Sequence, residues 1–277
     1  MRLALGPRRY QLDTSALVMG ILNRTTDSFF DKGAYFELDS LLGLAETLVA
    51  EGADILDVGG VKAGPGPDVS EQEEIDRVVP AVEALVARFD VAVSVDTWRA
   101  EVAAQAFAAG AVMGNDISGF ADPRYLEVAA AAGAAVVATH IRLAPRVADP
   151  EPTYVDGVVP AVRDFLVERA RQAERAGLPA ERIVVDAGLD LGKTWQQSLE
   201  LLRASDRLAV LGYPLVLSAS NKTFLGRLLG LEVGERREAS LAATALGVTR
   251  GCRIVRTHDV AGTRRVCDVV AAVLQAG

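Results

Sequence analysis

Polar and charged side chains follow the short apolar runs of this sequence, at the point where each run ends. They are Asn23, Asp57, Asp96, Asn115, Asp116, His140, Asp186, Ser218, Ser220, Arg256, His258 and Asp259. Acids and amides can pair with the planar edge of an aminopyrimidinone ring, and a carboxylate can accept two parallel N–H bonds from a guanidine-like edge. We therefore expect an acid-lined pocket for a flat nitrogen heterocycle, although Asp57 or Asp259 alone could equally cap a helix.

The last apolar run supplies a candidate anion site. Arg256 and His258 stand there, near the helix that should follow, as a cationic pair suited to a phosphate or diphosphate. Asn23 and Asp96 could hold Mg²⁺, because this ion favours a few hard oxygen ligands together with substrate phosphates. No spacing of cysteines or histidines indicates a transition metal, and no Ser/His/Asp spacing indicates acyl transfer.

Eight apolar runs, each followed by a helical segment, must position these side chains. The runs are apolar almost throughout, as expected for parallel strands covered on both faces. The predicted strands are 16–22, 53–58, 91–95, 111–115, 134–139, 182–186, 214–218 and 252–256, and the predicted helices are 37–51, 71–88, 99–109, 122–132, 157–176, 195–204, 222–248 and 260–275. Eight such units predict a single (β/α)8 barrel domain, residues 1–277, with its site at the C-terminal ends of the strands. A doubly wound open sheet is the alternative, and the complete count of units disfavours it.

The least regular part of the sequence is the proline-rich segment 142–157. We expect it to be a long loop after the fifth strand. Loops of this length are either surface connections or active-site lids, and both interpretations remain open for this one.

Composition limits the classes of partner. The chain has 277 residues, 50% of them hydrophobic, with a formal charge of −8, which disfavours nucleic acid and favours small molecules. The two cysteines fit a reducing compartment, and no apolar run is long enough to span a bilayer. We therefore expect a cytoplasmic protein without a membrane partner.

Seven segments resemble, in order and spacing, the motifs of dihydropteroate synthases. They are VMGILNRTTDSFFDKG (18–33), GADILDVGG (52–60), VSVDTWRAEVA (93–103), GNDISG (114–119), VVDAGLDLGKT (184–194), SASNKTFLG (218–226) and RIVRTHDV (253–260). The resemblance implies a (β/α)8 barrel that is typically a homodimer. It also implies a reaction of folate biosynthesis, in which 4-aminobenzoate is joined to 6-hydroxymethyl-7,8-dihydropterin diphosphate and pyrophosphate is released with the help of Mg²⁺.

The resemblance also implies roles for individual residues. Asp96, Asn115, Asp186 and Lys222 match the pterin-binding residues, and of these Asp96 and Lys222 are the candidate catalytic residues. Asn23 matches the diphosphate and Mg²⁺ side, and Arg256 with His258 matches the diphosphate site. Loss of pyrophosphate leaves a cationic methylene group, which nearby carboxylates would stabilise, while the cations and Mg²⁺ stabilise the leaving group.

The sequence departs from the family pattern on the 4-aminobenzoate side. The second βα loop continues GGEST-R-P-G in the family and reads GGVKAGPG at residues 59–66 here. The departures are Val61 for Glu, Lys62 for Ser, Ala63 for Thr, Gly64 for Arg, Asp190 as an added charge, Leu191 for an aromatic residue, Asn221 for Arg, Thr223 for Ser and Thr26 for Pro. Losing one or two charge-assisted hydrogen bonds, roughly 1.5–3 kcal/mol each, would weaken binding or catalysis by factors of tens to thousands.

Three functions are compatible with these residues. The first is a dihydropteroate synthase of reduced activity. The second is an inactive or repurposed paralogue that binds a pterin-like or sulfa-type ligand without turnover, so whether the chain is an enzyme stays open. The third, a methyltetrahydrofolate-binding barrel, is the least favoured because Lys222 and the Arg256/His258 pair belong with a diphosphate leaving group.

Overall fold

Eight parallel strands form a closed barrel in the computed structural model, which describes residues 1–25 and 37–276. In chain order the strands are β1 (Arg2–Leu5), β2 (Arg8–Gln11), β3 (Leu17–Asn23), β4 (Ile55–Gly59), β5 (Ala92–Asp96), β6 (Met113–Asp116), β7 (Ala135–Thr139), β8 (Ile183–Asp186), β9 (Leu215–Leu217) and β10 (Cys252–Thr257). Strands β3 to β10 pair in sequence order, and β10 pairs with β3 to close the barrel. The predicted (β/α)8 barrel is confirmed, and the open doubly wound sheet is excluded.

Helices cover the outside of the barrel. They are α1 (Leu38–Ala50), α2 (Glu71–Arg88), α3 (Ala100–Ala108), α4 (Tyr125–Ala132), α5 (Val158–Arg175), α6 (Trp195–Arg203), α7 (Ser205–Ala209), α8 (Thr223–Leu229), α9 (Arg237–Thr249) and α10 (Val260–Gln275). Outward-facing strand residues such as Leu22 and Val58 are buried in the same apolar cluster as Leu41 and Val82 of the helices. Burial on both faces explains why the strands are apolar throughout.

The predicted helix 222–248 is two helices in the structure. Gly230 ends α8 in a left-handed conformation (φ 68°), and a 3-10 turn at Val233–Glu235 leads into α9. Glycine adopts this conformation at no steric cost and commonly ends helices. The leucines on both sides of Gly230 continue the helical pattern and hide the break in the sequence.

The antiparallel hairpin of β1 and β2 is absent from the sequence-based prediction. Its residues Leu3 and Leu5, together with Leu12, are buried against residues from the N-terminal parts of the barrel strands. These are Leu17, Met19, Ile55, Ala92, Met113, Ala135, Val137, Val184, Val216 and Ile254. The hairpin therefore covers the N-terminal end of the barrel, and the polar strand ends lie at the opposite end.

No helix within residues 1–25 and 37–276 has the length and apolar character needed to cross a membrane. Thr26, one of the departures from the family pattern, lies outside the described residues.

Candidate functional site

A cavity at the C-terminal end of the barrel is the candidate site. Its larger part, the outer cavity, has a volume of about 390 Å³ and is lined by Ile21, Asn23, Thr25, Val61, Lys62, Ala63, Gly64, Pro65, Asp96, Asp190, Ser218, Ser220, Asn221, Lys222, Thr223, Arg256 and His258. A smaller recess of about 60 Å³ is lined by Ala63, Asp96, Asn115, Ile117, Thr139, Asp186, Gly188, Leu191, Ser218, Lys222 and Arg256. The seven residues to which the family resemblance gives roles all line one or both parts of this cavity.

Arg256 is held by two carboxylates in the recess. Its Nε donates to Oδ2 of Asp57 at 2.6 Å, and its Nη2 donates to Oδ2 of Asp96 at 2.7 Å. The amide of Asn115 donates to the same oxygen of Asp57 at 3.1 Å. Asp57 is fully buried and absent from the lining of the cavity, so it positions Arg256 and Asn115 from behind. The sequence showed only that Asp57 stands at a strand end.

Asp96 titrates near neutral pH. The pKa of its carboxyl is raised to about 7: burial is the largest cause of the rise, the charge of Arg256 opposes it, and the charge of Asp57 adds to it. The register between β5 and β6 places Asp96 directly beside Asn115. An acid and an amide therefore stand side by side at the wall of the recess, where both can face a planar ring.

Asp186 and Lys222 form the other wall of the recess. Oδ1 of Asp186 accepts a hydrogen bond from the amide of Gly188 at 2.7 Å, and Nζ of Lys222 donates to the carbonyl of Leu189 at 3.0 Å. Burial raises the pKa of Asp186 and lowers the pKa of Lys222. Gly188 has φ 64°, and a Cβ there would lie 1.9 Å from the carbonyl oxygen of His140. Only glycine therefore fits the turn that holds the Asp186 carboxylate.

The imidazole of His258 is neutral in this site. Its backbone amide donates to Oγ of Ser220 at 3.1 Å, and its Nδ1 lies 3.2 Å from the same oxygen. Burial lowers the pKa of His258 to about 3, and the charges of Arg256 and Lys222 lower it in the same direction. The expected cationic pair is therefore one cation, Arg256, beside an uncharged ring.

Three of the polar residues that follow apolar runs are structural. Asp116 accepts hydrogen bonds from the amides of Ser118 and Phe120 and so fixes its own loop. Asp259 caps α10 by accepting from the amide of Gly262 at 2.9 Å. The third is His140, which belongs to neither part of the cavity.

His140 packs behind the recess. Its ring lies edge-on to Phe165 at 4.8 Å between centroids, and its Nδ1 is 2.8 Å from Nζ of Lys193. Lys193 also donates to the carbonyl of Leu191 at 2.8 Å. Burial lowers the pKa of Lys193 to about 7. This buried pair ties the end of β7 to the loop after β8, a contact that the sequence did not indicate.

Segment 142–157 packs against the loop that follows β4. The amide of Arg146 donates to the carbonyl of Ala63 at 2.9 Å, and its guanidinium donates to the carbonyls of Gly66 and Pro67. The segment is also joined to the loop after β8, where the hydroxyl of Tyr154 donates to the carbonyl of Gly192 at 2.7 Å. The segment is therefore hydrogen-bonded to the second βα loop and to the loop after β8, and none of its residues lines the cavity.

Asn221 and Asp190, two departures from the family pattern, line one side of the outer cavity. Both have a left-handed backbone, with φ 57° and φ 68°. The carbonyl of Asn221 accepts from Nη1 of Arg236 at 2.9 Å, and Oδ2 of Asp190 accepts from the amide of Thr223 at 2.5 Å. Arg236 also donates to the carbonyl of Leu231, so it braces the start and end of α8.

Comparison with known proteins identifies the class of this barrel. The family model described as "Pterin binding enzyme" matches residues 19–258. The chain is 46% identical over 262 residues to "Inactive dihydropteroate synthase 2" of Mycobacterium leprae, which covers 93% of this chain and 90% of the relative. It is 39% identical over 273 residues to the dihydropteroate synthase of Bacillus subtilis, covering 98% and 93%.

Solved structures agree with the sequence relatives. The crystal structure of the Yersinia pestis dihydropteroate synthase with a sulfonamide drug complex matches with a TM-score of 0.95 and 36% identity, over 100% of both chains. Fold, recess and matches together define a pterin-binding barrel. The chain belongs to the dihydropteroate synthase family, of which it is a divergent member.

Proposed function

We propose that the chain binds 6-hydroxymethyl-7,8-dihydropterin diphosphate and transfers the pterin to 4-aminobenzoate at a reduced rate. One observation carries the proposal. Asp96, Asn115, Asp186 and Lys222 line a single recess, and Arg256 belongs both to this recess and to the outer cavity that holds His258. A flat heterocycle in the recess would thus extend its diphosphate toward Arg256 and His258.

The residues suit the two bonds that change in the reaction. The C–O bond to the diphosphate breaks, and the leaving group keeps the electron pair, which leaves a cationic methylene on the pterin. Asp96 and Asp186 supply negative charge beside that cation, while Arg256 and His258 donate hydrogen bonds to the leaving group. The amine of 4-aminobenzoate then forms the new C–N bond and releases a proton.

The donor set around the proposed diphosphate fits Mg²⁺. The amide oxygen of Asn23 is a hard ligand in the same cavity as Arg256 and His258. No cluster of three or more His, Cys, Asp or Glu side chains suited to a metal occurs within the described parts of the chain. Asn23, with Asp96 as a second candidate oxygen ligand, would hold the ion, which would neutralise the charge that develops on the leaving diphosphate.

The outer cavity supports the reduced rate. The second βα loop contributes Ala63 and Gly64 there, where the family pattern has Thr and Arg, and these side chains donate no hydrogen bond. Leu191 lines the recess in place of an aromatic residue. The pterin side of the site is therefore intact in residue type, whereas the side for the second substrate has lost donors.

Binding without turnover is the second candidate function. The similarity to a relative named as inactive favours it, and so does the double pairing of Arg256 with Asp57 and Asp96, which already uses two of its donor positions. In this case the chain would bind a pterin-like or sulfa-type ligand and would not catalyse a reaction on it.

A turnover assay separates the two functions. Purified protein receives both substrates with Mg²⁺, and release of pyrophosphate is measured beside the B. subtilis relative. A slow but measurable rate supports the synthase, while calorimetric pterin binding with no turnover supports the binding protein.

Lys222→Ala should abolish pterin binding, and Lys62→Ala, the matched control in the outer cavity, should hardly change it. Equal effects of the two variants would contradict the assignment of the recess.

We also propose a homodimer that works in the cytoplasm. Helix α10 exposes Val269 and Val273, 64% and 67% exposed, and the adjacent α9 exposes Leu246. Apolar residues grouped on packed helices mark an interaction surface. We expect twice the monomer mass in light scattering, and a shift to monomer in Val269→Asp/Val273→Asp. A monomeric parent protein would contradict the dimer.

Two buried free cysteines, Cys252 and Cys267, fit a reducing compartment.

A further inference from the structure

We infer that the buried pair of Lys193 and His140 is a clamp that positions the binding residues of the recess, although neither side chain lines the cavity. The inference rests on the proposed function, because the residues that the clamp positions are those assigned to the pterin. It goes beyond that function, since it gives a role in binding to two residues that belong to neither part of the cavity.

The nitrogen of Lys193 has an acceptor for each of its three donors. Nζ lies 2.8 Å from Nδ1 of His140, and it donates to the carbonyl of Leu191 at 2.8 Å and to the carbonyl of His140 at 3.2 Å. Lys193 is 8% exposed and His140 is 5% exposed, so these contacts are shielded from water. Burial of a charged nitrogen is unfavourable unless its donors are paired, and here all three are. The clamp therefore holds two segments together, the end of β7 and the loop after β8.

The loop after β8 carries the groups that orient the recess. The amide of Gly188 donates to Oδ1 of Asp186 at 2.7 Å, and the carbonyl of Leu189 accepts from Nζ of Lys222 at 3.0 Å. Leu191, which the clamp holds by its carbonyl, lines the recess itself, and its amide donates to the carbonyl of Gly188 at 3.0 Å. A shift of this loop would therefore move the partners of Asp186 and Lys222 together.

Other contacts keep the loop folded when the clamp is removed. The hydroxyl of Tyr154 donates to the carbonyl of Gly192 at 2.7 Å. The amide of Asp190 donates to the hydroxyl of Ser198 at 3.1 Å. Loss of the clamp should therefore loosen the loop at the recess without unfolding the barrel.

The contacts of the clamp persist when Lys193 loses a proton. Burial lowers the pKa of Lys193 to about 7 and the pKa of His140 to about 3, so the imidazole is neutral near pH 7. As an ammonium, Lys193 donates to Nδ1; as an amine, it can accept from Nδ1–H of the other tautomer and still donate to both carbonyls. The other charged groups that act on the pKa of Lys193 are Asp186, Asp190 and Asp149, which raise it, and Lys222, which lowers it. The clamp therefore adds no pH dependence of its own to pterin binding.

Three variants separate the clamp from simple packing. Lys193→Met keeps a long apolar side chain and removes all three contacts. His140→Phe keeps a ring against Phe165, whose centroid lies 4.8 Å from that of the imidazole, but removes the acceptor. His140→Asn loses the ring and keeps an acceptor close to the position of Nδ1. Leu5→Ala, which removes a fully buried side chain of the hairpin at the opposite end of the barrel, is the control for lost stability.

Two measurements follow the clamp. Calorimetry at pH 8 gives the affinity of each folded protein for 6-hydroxymethylpterin, and hydrogen exchange with mass spectrometry reports the opening of residues 187–193. We expect Lys193→Met and His140→Phe to bind the pterin about tenfold more weakly, the size of one hydrogen bond to a charged group, and to exchange faster in this loop. The double variant should match Lys193→Met within about threefold, because both changes break the same contact. His140→Asn and Leu5→Ala should bind within about threefold of the parent protein, although both lose stability.

Affinity that follows the ring rather than the acceptor, with His140→Phe equal to the parent and His140→Asn weak, would overturn the inference. Unchanged exchange of residues 187–193 in Lys193→Met would overturn it as well. If Lys193→Met does not fold, the two variants of His140 make the same comparison.

The two measurements also keep this result apart from the proposed function. Faster exchange with unchanged pterin affinity leaves the proposed function standing and removes the positioning role of the clamp. A parent protein that binds no pterin overturns the proposed function, and the exchange of residues 187–193 then decides whether the pair holds the loop.

Discussion

At the scale of single residues, the recess is organised by charges that are paired before any ligand arrives. Asp57, Asp96 and Arg256 form a buried group of two acids and one guanidinium, with Asn115 hydrogen-bonded to Asp57. Such groups fix orientation more than they stabilise, because taking charges out of water costs about as much as their attraction returns. In this chain the group holds Asp96 and Asn115 in place at the wall of the recess proposed to bind the pterin.

Removing Asp57 tests this organisation. Asp57→Ala leaves Arg256 with only one of its two carboxylates, and we expect the free energy of unfolding to fall by about 3 kcal/mol, the lower end for breaking a buried pair. The midpoint of urea unfolding measures the change. Asp90→Ala is the matched control, because the ion pair of Asp90 with Arg8 lies at the surface and contributes less than about 1 kcal/mol. Equal losses in the two variants would contradict the role of Asp57.

The pKa of Asp96 predicts a pH dependence of pterin binding. In the proposed complex the carboxylate would accept hydrogen bonds from N–H groups of the pterin ring, and a pKa of about 7 means that it becomes protonated as the pH falls through neutrality. We expect affinity for a pterin to be about tenfold lower at pH 6 than at pH 8, following the ionised fraction. Fluorescence titration of the pterin measures it. Asp96→Asn should bind more weakly and lose this part of the pH profile, and identical profiles in the two proteins would show that Asp96 does not titrate on binding.

At the scale of elements, the loops that follow the strands decide what reaches the recess. The loop after β4 is held by Arg146 from segment 142–157, by Arg77 at the carbonyl of Gly60, and by Arg99 at the carbonyl of Val69. Arg99 in turn pairs with the buried Glu74 at 2.7 Å. The loop that has lost its substrate donors is therefore fixed by arginines from three neighbouring elements.

Cutting one of these contacts should open the loop. In Arg146→Ala, we expect cleavage by lysyl endopeptidase after Lys62 to become about tenfold faster, because local opening of the loop costs less. Mass spectrometry of the fragments identifies the cleaved bond. Arg163→Ala is the control, since the ion pair that Arg163 makes within the described residues is with the neighbouring Asp164 on the exposed face of α5. Unchanged cleavage would mean that the other two arginines suffice.

Much of this arrangement could be predicted from the sequence, because strand ends in a barrel converge whatever the details of packing. That reasoning located Asn23, Asp96, Asn115, Asp186, Arg256 and His258, and the resemblance to the family added Lys222. It could not show that His258 is neutral, since the cause is burial beside Arg256. It also missed the reach of Asp190 to the amides of α8, which depends on a left-handed backbone.

At the scale of the whole molecule, the barrel is closed around its circumference and covered at its N-terminal end. The hairpin was missed because its two strands are four residues each and carry arginines, with no apolar period to reveal them. Its leucines nevertheless complete the interior apolar cluster at that end of the barrel. The hairpin thus contributes to stability at the end of the strands opposite to the binding site.

This separation predicts a variant that loses stability but keeps its site. Leu5→Ala removes a fully buried side chain, and we expect the free energy of unfolding to fall by about 2–4 kcal/mol. Pterin affinity of the folded protein should stay within about twofold, because the hairpin is remote from the recess. Chemical unfolding and calorimetry measure the two quantities. Leu229→Ala, at a position 55% exposed and outside the proposed dimer surface, is the control and should lose less than about 1 kcal/mol. Weaker pterin binding in folded Leu5→Ala would contradict the separation.

The hairpin has a kinetic consequence as well. The leucines of the hairpin cover the N-terminal end of the barrel. Ligands therefore reach the recess within the described residues through the opening of the outer cavity above Arg256. A ligand bound in the recess is covered when a second ligand binds in the outer cavity. Dissociation of the first ligand should therefore become slower whenever the second is bound. The two ligands should therefore bind and dissociate in a fixed order, in which the inner ligand binds first and dissociates last.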